Sequence, residues 1–282
     1  MAYKSILTVA TDAEGLSPVI GAASVFAQRQ DGHLEVLVVG VDTVQPAFYG
    51  YGDSVALMQI SLDQARVDAA ATEAATKALL SKESPALRWS LDSGVASVGS
   101  LRDLVSRHAR FSDLVVLAQP YAAHKPQESV AVLEAALFDG QAPVLVLPKG
   151  QSADAVVGHR IVIAWNQSRE AMAAVRCALP LLIMAGQVNI VVIDPPVYGV
   201  ERSDPGGQLC HMLVRHGVRA EVSVLARSEP RISDVLARHL RDQGADLLVM
   251  GAYGHSRLRE SILGGATRDM LDKAQVPMLL AH

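Results

Sequence analysis

Short apolar runs recur along the chain, each separated from the next by a stretch in which Ala and Leu return every three or four residues. Runs of four to eight apolar residues rich in Val, Ile and Leu read as strands buried on both faces, and the three-and-four spacing reads as amphipathic helix. The expected strands are Ile6–Val9, Leu34–Val41, Leu87–Leu91, Leu114–Ala118 and Val144–Leu147, with helices between them over about 16–30, 55–82, 99–110 and 127–138. After the polar linker Pro148-Lys-Gly-Gln-Ser-Ala153 the cycle restarts with Ile161–Ala164, Val188–Ile193, Ala220–Leu225, Asp246–Met250 and Pro277–Ala281. Strands alternating with helices predict parallel sheets joined by βαβ crossovers.

The second cycle repeats the first. Asp103-Leu-Val-Ser-Arg107-His108-Ala-Arg110 leads into Asp113-Leu-Val-Val, as Asp234-Val-Leu-Ala-Arg238-His239-Leu-Arg241 leads into Asp246-Leu-Leu-Val. Pro46-Ala-Phe-Tyr49-Gly50 resembles Pro195-Pro-Val-Tyr198-Gly199, and Ala142-Pro143-Val-Leu-Val resembles Val276-Pro277-Met-Leu-Leu. A period this long means two copies of one domain, and 282 residues suffice for two cores. The expected domains are 1–149 and 158–282. Each ends on a strand apolar to its last residue, Val144–Leu147 or Met278–Ala281, which would be a bare sheet edge on its own. The two are expected to pair with each other.

Composition narrows the picture. Half of the residues are hydrophobic but only 4% are aromatic, so the interior is built from Ala, Val, Leu and Ile. The net charge is −4, and Lys and Arg are scattered rather than striped, which argues against a nucleic-acid partner. The most apolar window, Ala178–Ile193, is broken by Pro180, Gly186, Gln187 and Asn189 and reads as a helix end followed by a strand, not a membrane span. The opening Met-Ala-Tyr-Lys runs into a strand without an apolar leader, so the expected compartment is the cytoplasm. Cys177 and Cys210 stand outside any CxxC pattern and read as reduced packing residues.

The stretch with the most chemistry is Gly251–Thr267, GAYGHSRLRESILGGAT, between the fourth strand and the last helix of the second copy. Gly251, Gly254, Gly264 and Gly265 leave backbone amides open to an anion at a helix start. The spacing Gly251-x2-Gly254-x9-Gly264, with Val249-Met-Gly-Ala-Tyr-Gly-His-Ser256 around it, resembles the adenine-nucleotide loop of the universal stress protein family. With the duplication, the whole chain is similar to that family's tandem form.

The resemblance implies an α/β fold of two tandem, open, parallel, Rossmann-like sheets. It further implies a stress-response regulator that binds ATP or a related adenine nucleotide, with or without Mg, in the second domain. The domains would form a pseudo-dimer within the chain, and two chains a homodimer. By the same resemblance Gly251, Gly254, Gly264, Gly265, Ala266 and Thr267 hold phosphates and Met250 lies near the base. Ala164, Trp165 and Asn166 meet the adenine or ribose edge from the first strand, and Ile193 does so from the second. His255 adds a donor or stays solvated, and Trp165 stacks on the ligand or packs in the core. The sequence departs from the family pattern in carrying Asn166 where Asp is common and Gly265 where Ser or Thr is usual.

The first copy has Gln119-Pro-Tyr-Ala-Ala-His-Lys-Pro126 at the corresponding loop, without a glycine and with two prolines that remove amide donors, so it is expected to hold no nucleotide. Thr11 and Asp12 sit at its first strand end, with the alignment open by one residue. No Walker loop, nucleophile elbow, His-Glu-x-x-His or carboxylate pair accompanies the glycines, which favours binding over dedicated catalysis. Two alternatives stay open: a nucleotide-free interaction protein, and a weak ATPase or self-phosphorylating protein using Ser256, Ser261 or Thr267.

Overall fold

The computed structural model describes residues 2–13, 16–43, 54–121, 128–150, 157–195, 203–252 and 265–282. It divides into two compact units, one holding residues 2–142 and the other holding 143–149 and 155–282. Within each repeat the described chain alternates strand and helix, as its hydrophobic pattern predicts.

The N-terminal unit runs β1 (Ser5–Ala10), α1 (Leu16–Arg29), β2 (His33–Asp42), α2 (Ser54–Leu80), β3 (Arg88–Ser97), α3 (Val98–Ala109), β4 (Leu114–Ala118) and α4 (Glu128–Glu134), which continues into a π-helical stretch, Ala135–Asp139. Its strands lie in the order β3-β2-β1-β4, with the ladders of β1 to β2 and β4 and of β2 to β3 parallel. Gly40 allows α2 to lie directly on β2, since a Cβ there would stand 2.0 Å from the Ala65 carbonyl oxygen. Sequence periodicity misses the second half of β3. This edge strand is largely exposed and polar, so it carries no apolar run.

The C-terminal unit holds β5 (Val144–Leu147), β6 (Arg160–Ala164), α5 (Arg169–Met184), β7 (Gln187–Ile193), α6 (Gly207–Arg215), β8 (Ala220–Leu225), α7 (Ile232–Asp242), β9 (Leu247–Gly251), α8 (Ala266–Lys273) and β10 (Met278–Ala281). The order is β5-β10-β9-β6-β7-β8. The closing strands do pair: β10 runs antiparallel to β5, with Met278 opposite Val146 and Leu280 opposite Val144, and both strands are buried along their whole length. β5 thus counts with the second compact unit, and the boundary falls at residue 143. No helix among the described residues is long and apolar enough to cross a membrane.

The sequence repeats acquire structural reasons. Asp113 Oδ2 accepts hydrogen bonds from the Lys4 and Ser5 amides at 2.7 and 2.9 Å. Asp246 accepts from the amides of Gly158, His159 and Arg160 at 2.9, 3.0 and 3.1 Å. In each unit the aspartate before the fourth strand therefore clasps the start of the first. The repeated histidine pins a helix to the sheet: His108 Nδ1 lies 2.5 Å from Glu35 Oε1 on β2, and His239 Nε2 lies 2.8 Å from Asn189 Oδ1 on β7.

The two histidines sit in different electrostatic surroundings. Asn189 in turn donates to Ser223 Oγ and Glu221 Oε1, so His239 closes a buried polar network. Burial holds the His239 imidazole below the ordinary histidine value, against Asp242 and Glu221, whose charges pull it upward. The folded state thus takes up its proton later than the unfolded chain, whose histidine titrates near 6.5. This contribution to stability is complete above about pH 6.5 and is lost as the pH falls from there through the lower folded value. Urea unfolding from pH 8 to 5 is expected to show the wild type losing stability relative to His239→Gln below about pH 6.5. Parallel curves for the two proteins would contradict the assignment.

Candidate nucleotide site in the C-terminal unit

Open parallel sheets bind ligands at the carboxyl ends of their strands, where the strand order reverses. In the C-terminal unit that point lies between β6 and β9, because the chain goes from β6 outward to β7 and β8 and then returns to β9. Across it Ala164 stands directly opposite Met250, and Ala164 also faces Val191 of β7. Ile193 closes β7 with a half-buried side chain. These three residues therefore lie at the carboxyl ends of the adjacent strands β7, β6 and β9.

Beyond Ala164 the chain makes a local turn that starts α5. Asn166 Oδ1 accepts from the Ser168 amide at 3.1 Å, Gln167 takes a left-handed φ of 63°, and Ser168 Oγ accepts from the Ala171 amide at 3.0 Å as the N-cap. The Asn166 oxygen is thus engaged in an Asx turn, and the exposed side chain presents its NH2 group to solvent. Trp165 turns the other way. It is 7% exposed, and its indole Nε1 is buried with no hydrogen-bond partner. Of the two readings of this residue, core packing is the one its burial supports.

Gly251 owes its lack of a side chain to a helix. A Cβ on it would lie 2.4 Å from the Ala171 nitrogen and 2.6 Å from the Glu170 carbonyl carbon, so the first turn of α5 rests on the end of β9. Ligand clearance is not needed to explain this glycine. Gly265 is the N-cap of α8, extended at φ −69° and ψ 158°, with no side-chain cap. Ala266 opens the helix with an exposed side chain. Thr267 is 7% exposed, so its hydroxyl belongs to the interior of the unit. Gly254, His255 and Gly264, with Ser256 and Ser261, lie outside the described residues. Among the described residues no group of three or more His, Cys, Asp or Glu side chains is placed to hold a metal ion.

The universal stress protein family model matches residues 158–282, which span this sheet from β6 to the C-terminus together with its glycine loop. Residues 158–282 belong to the universal stress protein family. A universal stress protein of Synechocystis sp. is 30% identical over 112 residues, covering 36% of this chain and 37% of that protein's own length. The fold likeness extends to the whole chain. A universal stress protein from Archaeoglobus fulgidus matches with a TM-score of 0.69 at 14% identity, covering 98% of this chain and 96% of its own. A putative universal stress protein from Pseudomonas aeruginosa matches with a TM-score of 0.57 at 14% identity, covering 99% and 93%. The N-terminal unit is included in this fold likeness.

What sequence reasoning missed in the site is the packing role of Gly251. A signal was present: Ala171 is the small residue on α5 that such an approach requires, but only the structure shows which strand end it meets.

Proposed function

We propose that the protein is a stress-response regulator that binds one adenine nucleotide, ATP or a close relative, in its C-terminal unit. The observation that carries this reading is the pairing of Ala164 with Met250 at the strand ends where the sheet order reverses, in the unit that matches the family model. A helix N-terminus such as that of α8 favours phosphate through its dipole, and the exposed Asn166 side chain follows the end of β6. Family membership of this unit supports the adenine nucleotide as the ligand class. The glycines Gly254 and Gly264, with His255, complete the proposed phosphate loop. A cytoplasmic location is part of the same reading.

Equilibrium dialysis with ATP and Mg tests it. One nucleotide per chain is expected, held in the C-terminal unit. Two per chain would place a second site in the N-terminal unit, and none at millimolar ATP would leave an interaction protein without nucleotide. Gly265→Ser adds a hydroxyl where the family usually has one. A hydrogen bond to a charged acceptor contributes roughly 1.5 to 3 kcal/mol, so calorimetry is expected to show affinity rising about tenfold or more. Unchanged affinity would remove Gly265 from the phosphate site. Release of inorganic phosphate during the incubation would favour the ATPase alternative.

A further inference from the structure

The longest described helix, α2, carries two series of residues at helical spacing, and the N-terminal unit buries only one. Ala65, Ala69, Thr72, Thr76 and Leu80 are buried, and Gly40 of β2 lets the helix lie close to the sheet at Ala65. The second series is Leu57, Ile60, Gln64 and Val67 in the first half and Ala71, Ala74 and Ala78 in the second, at alternating intervals of three and four residues. At about 3.6 residues per turn it runs along the side of α2 opposite the buried one. Every member is exposed, Ile60 by 65% and Val67 by 61%. A helix face turned to water is ordinarily polar, whereas apolar residues at this interval over about three heptads form the seam by which one helix packs on another. Gln64 is the polar exception, and its amide already donates to Asp68 Oδ1 at 2.8 Å.

We propose that this face of α2 docks a second copy of the chain, with the two α2 helices antiparallel. The series is sorted by size, and antiparallel alignment about Ala69 uses that sorting: Ile60 of one copy lies over Ala78 of the other, Gln64 over Ala74, and Val67 beside Ala71, so each long side chain meets a methyl group. A parallel pair would set Ile60 against Ile60 at one end and alanine against alanine at the other, leaving a gap along half of the seam. Charge selects the same arrangement. Asp63 and Lys77 border the series on one side, and antiparallel alignment puts Asp63 of each copy beside Lys77 of the other. Both side chains are more than half exposed, and their present partners, Arg66 and Glu73, are on the same helix. Parallel alignment would put Asp63 beside Asp68 instead, twice per dimer. In the antiparallel pair Asp68 meets only its own copy on the twofold axis, one like-charged contact against two of opposite sign. Such a contact is isologous and closes at two copies. The surface is separate from the nucleotide reading and does not depend on it.

Sedimentation velocity of the full chain over rising concentration tests the proposal. The wild type is expected to pass reversibly from monomer to dimer, and the double variant Ile60→Glu, Val67→Glu to stay monomeric throughout. Asp63→Lys and Lys77→Asp each turn two attractive contacts into repulsive ones, so either alone is expected to weaken the dimer about tenfold. The two together exchange the charges and are expected to restore it. Asp68→Asn removes the like charges on the axis and is expected to tighten it. All of these positions are exposed, so an unchanged melting curve by circular dichroism shows that each variant is folded, and the charge exchange keeps the test decisive should the double glutamate variant fail to fold. A wild type that stays monomeric, a dimer that survives the two glutamates, or a charge exchange that restores nothing would each overturn the interface.

Discussion

Gly251→Val is expected to lower the stability of the C-terminal unit by about 3 kcal/mol or more, at the upper end of overpacking costs. The reason is the identity of the atoms in the way. A side chain at Gly251 meets the backbone of Glu170 and Ala171 rather than the tip of a flexible side chain, so relief requires moving the first turn of α5 as a body. That turn is fixed by the Ser168 cap and the Asn166 Asx turn, and its own buried Ala171, Ala174 and Ala178 are already small. Gly251→Ala places its Cβ at the same 2.4 Å from the Ala171 nitrogen and is expected to lose stability too, by less than valine. Urea denaturation followed by circular dichroism measures both. If Gly251 serves only to leave room for phosphate, the alanine variant keeps its unfolding midpoint and loses nucleotide affinity alone. An unchanged midpoint in the valine variant would mean that α5 is not seated on β9 as described.

Much of this architecture was legible because two kinds of information are local. Strands buried on both faces announce themselves as apolar runs, and Leu114–Ala118, Val144–Leu147 and Ala220–Leu225 begin and end where the sequence pattern places them. The repeat of Asp103–Arg110 in Asp234–Arg241 identified two copies, although its cause, a histidine pinning each helix and an aspartate clasping each first strand, depends on partners more than 40 residues away. The π-helical stretch Ala135–Asp139 was not legible. Its residues have ordinary helical composition, and nothing in their spacing marks the change from α- to π-helix. The site was half legible for a similar reason. Residue types and spacing located the glycines, but whether a glycine faces a ligand or a neighbouring helix depends on packing, and Gly251 faces a helix. An aromatic residue at a strand end reads as stacking surface or core, packing being the commoner, and the burial of Trp165 agrees with packing.

Asp246→Ala is expected to cost about 3 kcal/mol, and Asp113→Ala less, because the two clasps differ in the number of amides they hold. Asp246 accepts from three successive amides, Gly158, His159 and Arg160, while the bonds to Asp113 Oδ2 come from two, Lys4 and Ser5. Hydrogen bonds to a charged acceptor contribute roughly 1.5–3 kcal/mol apiece, and partial exposure lets water replace some of that loss, which keeps the total below the simple sum. The clasp also fixes where β6 begins. Parallel pairing of β6 with β7 and β9 sets which residues stand at the strand ends, so a slip at Arg160 would carry Ala164 and Asn166 away from Met250. Hydrogen exchange separates the local from the global effect. The Gly158, His159 and Arg160 amides are expected to lose protection in Asp246→Ala under native conditions, while the β4 amides of the N-terminal unit keep theirs. Asp246→Asn, which retains an acceptor oxygen without the charge, is expected to fall between wild type and alanine. Asparagine indistinguishable from aspartate would show that charge adds nothing to the clasp, and full protection in the alanine variant would show that the strand start is held by its ladder alone.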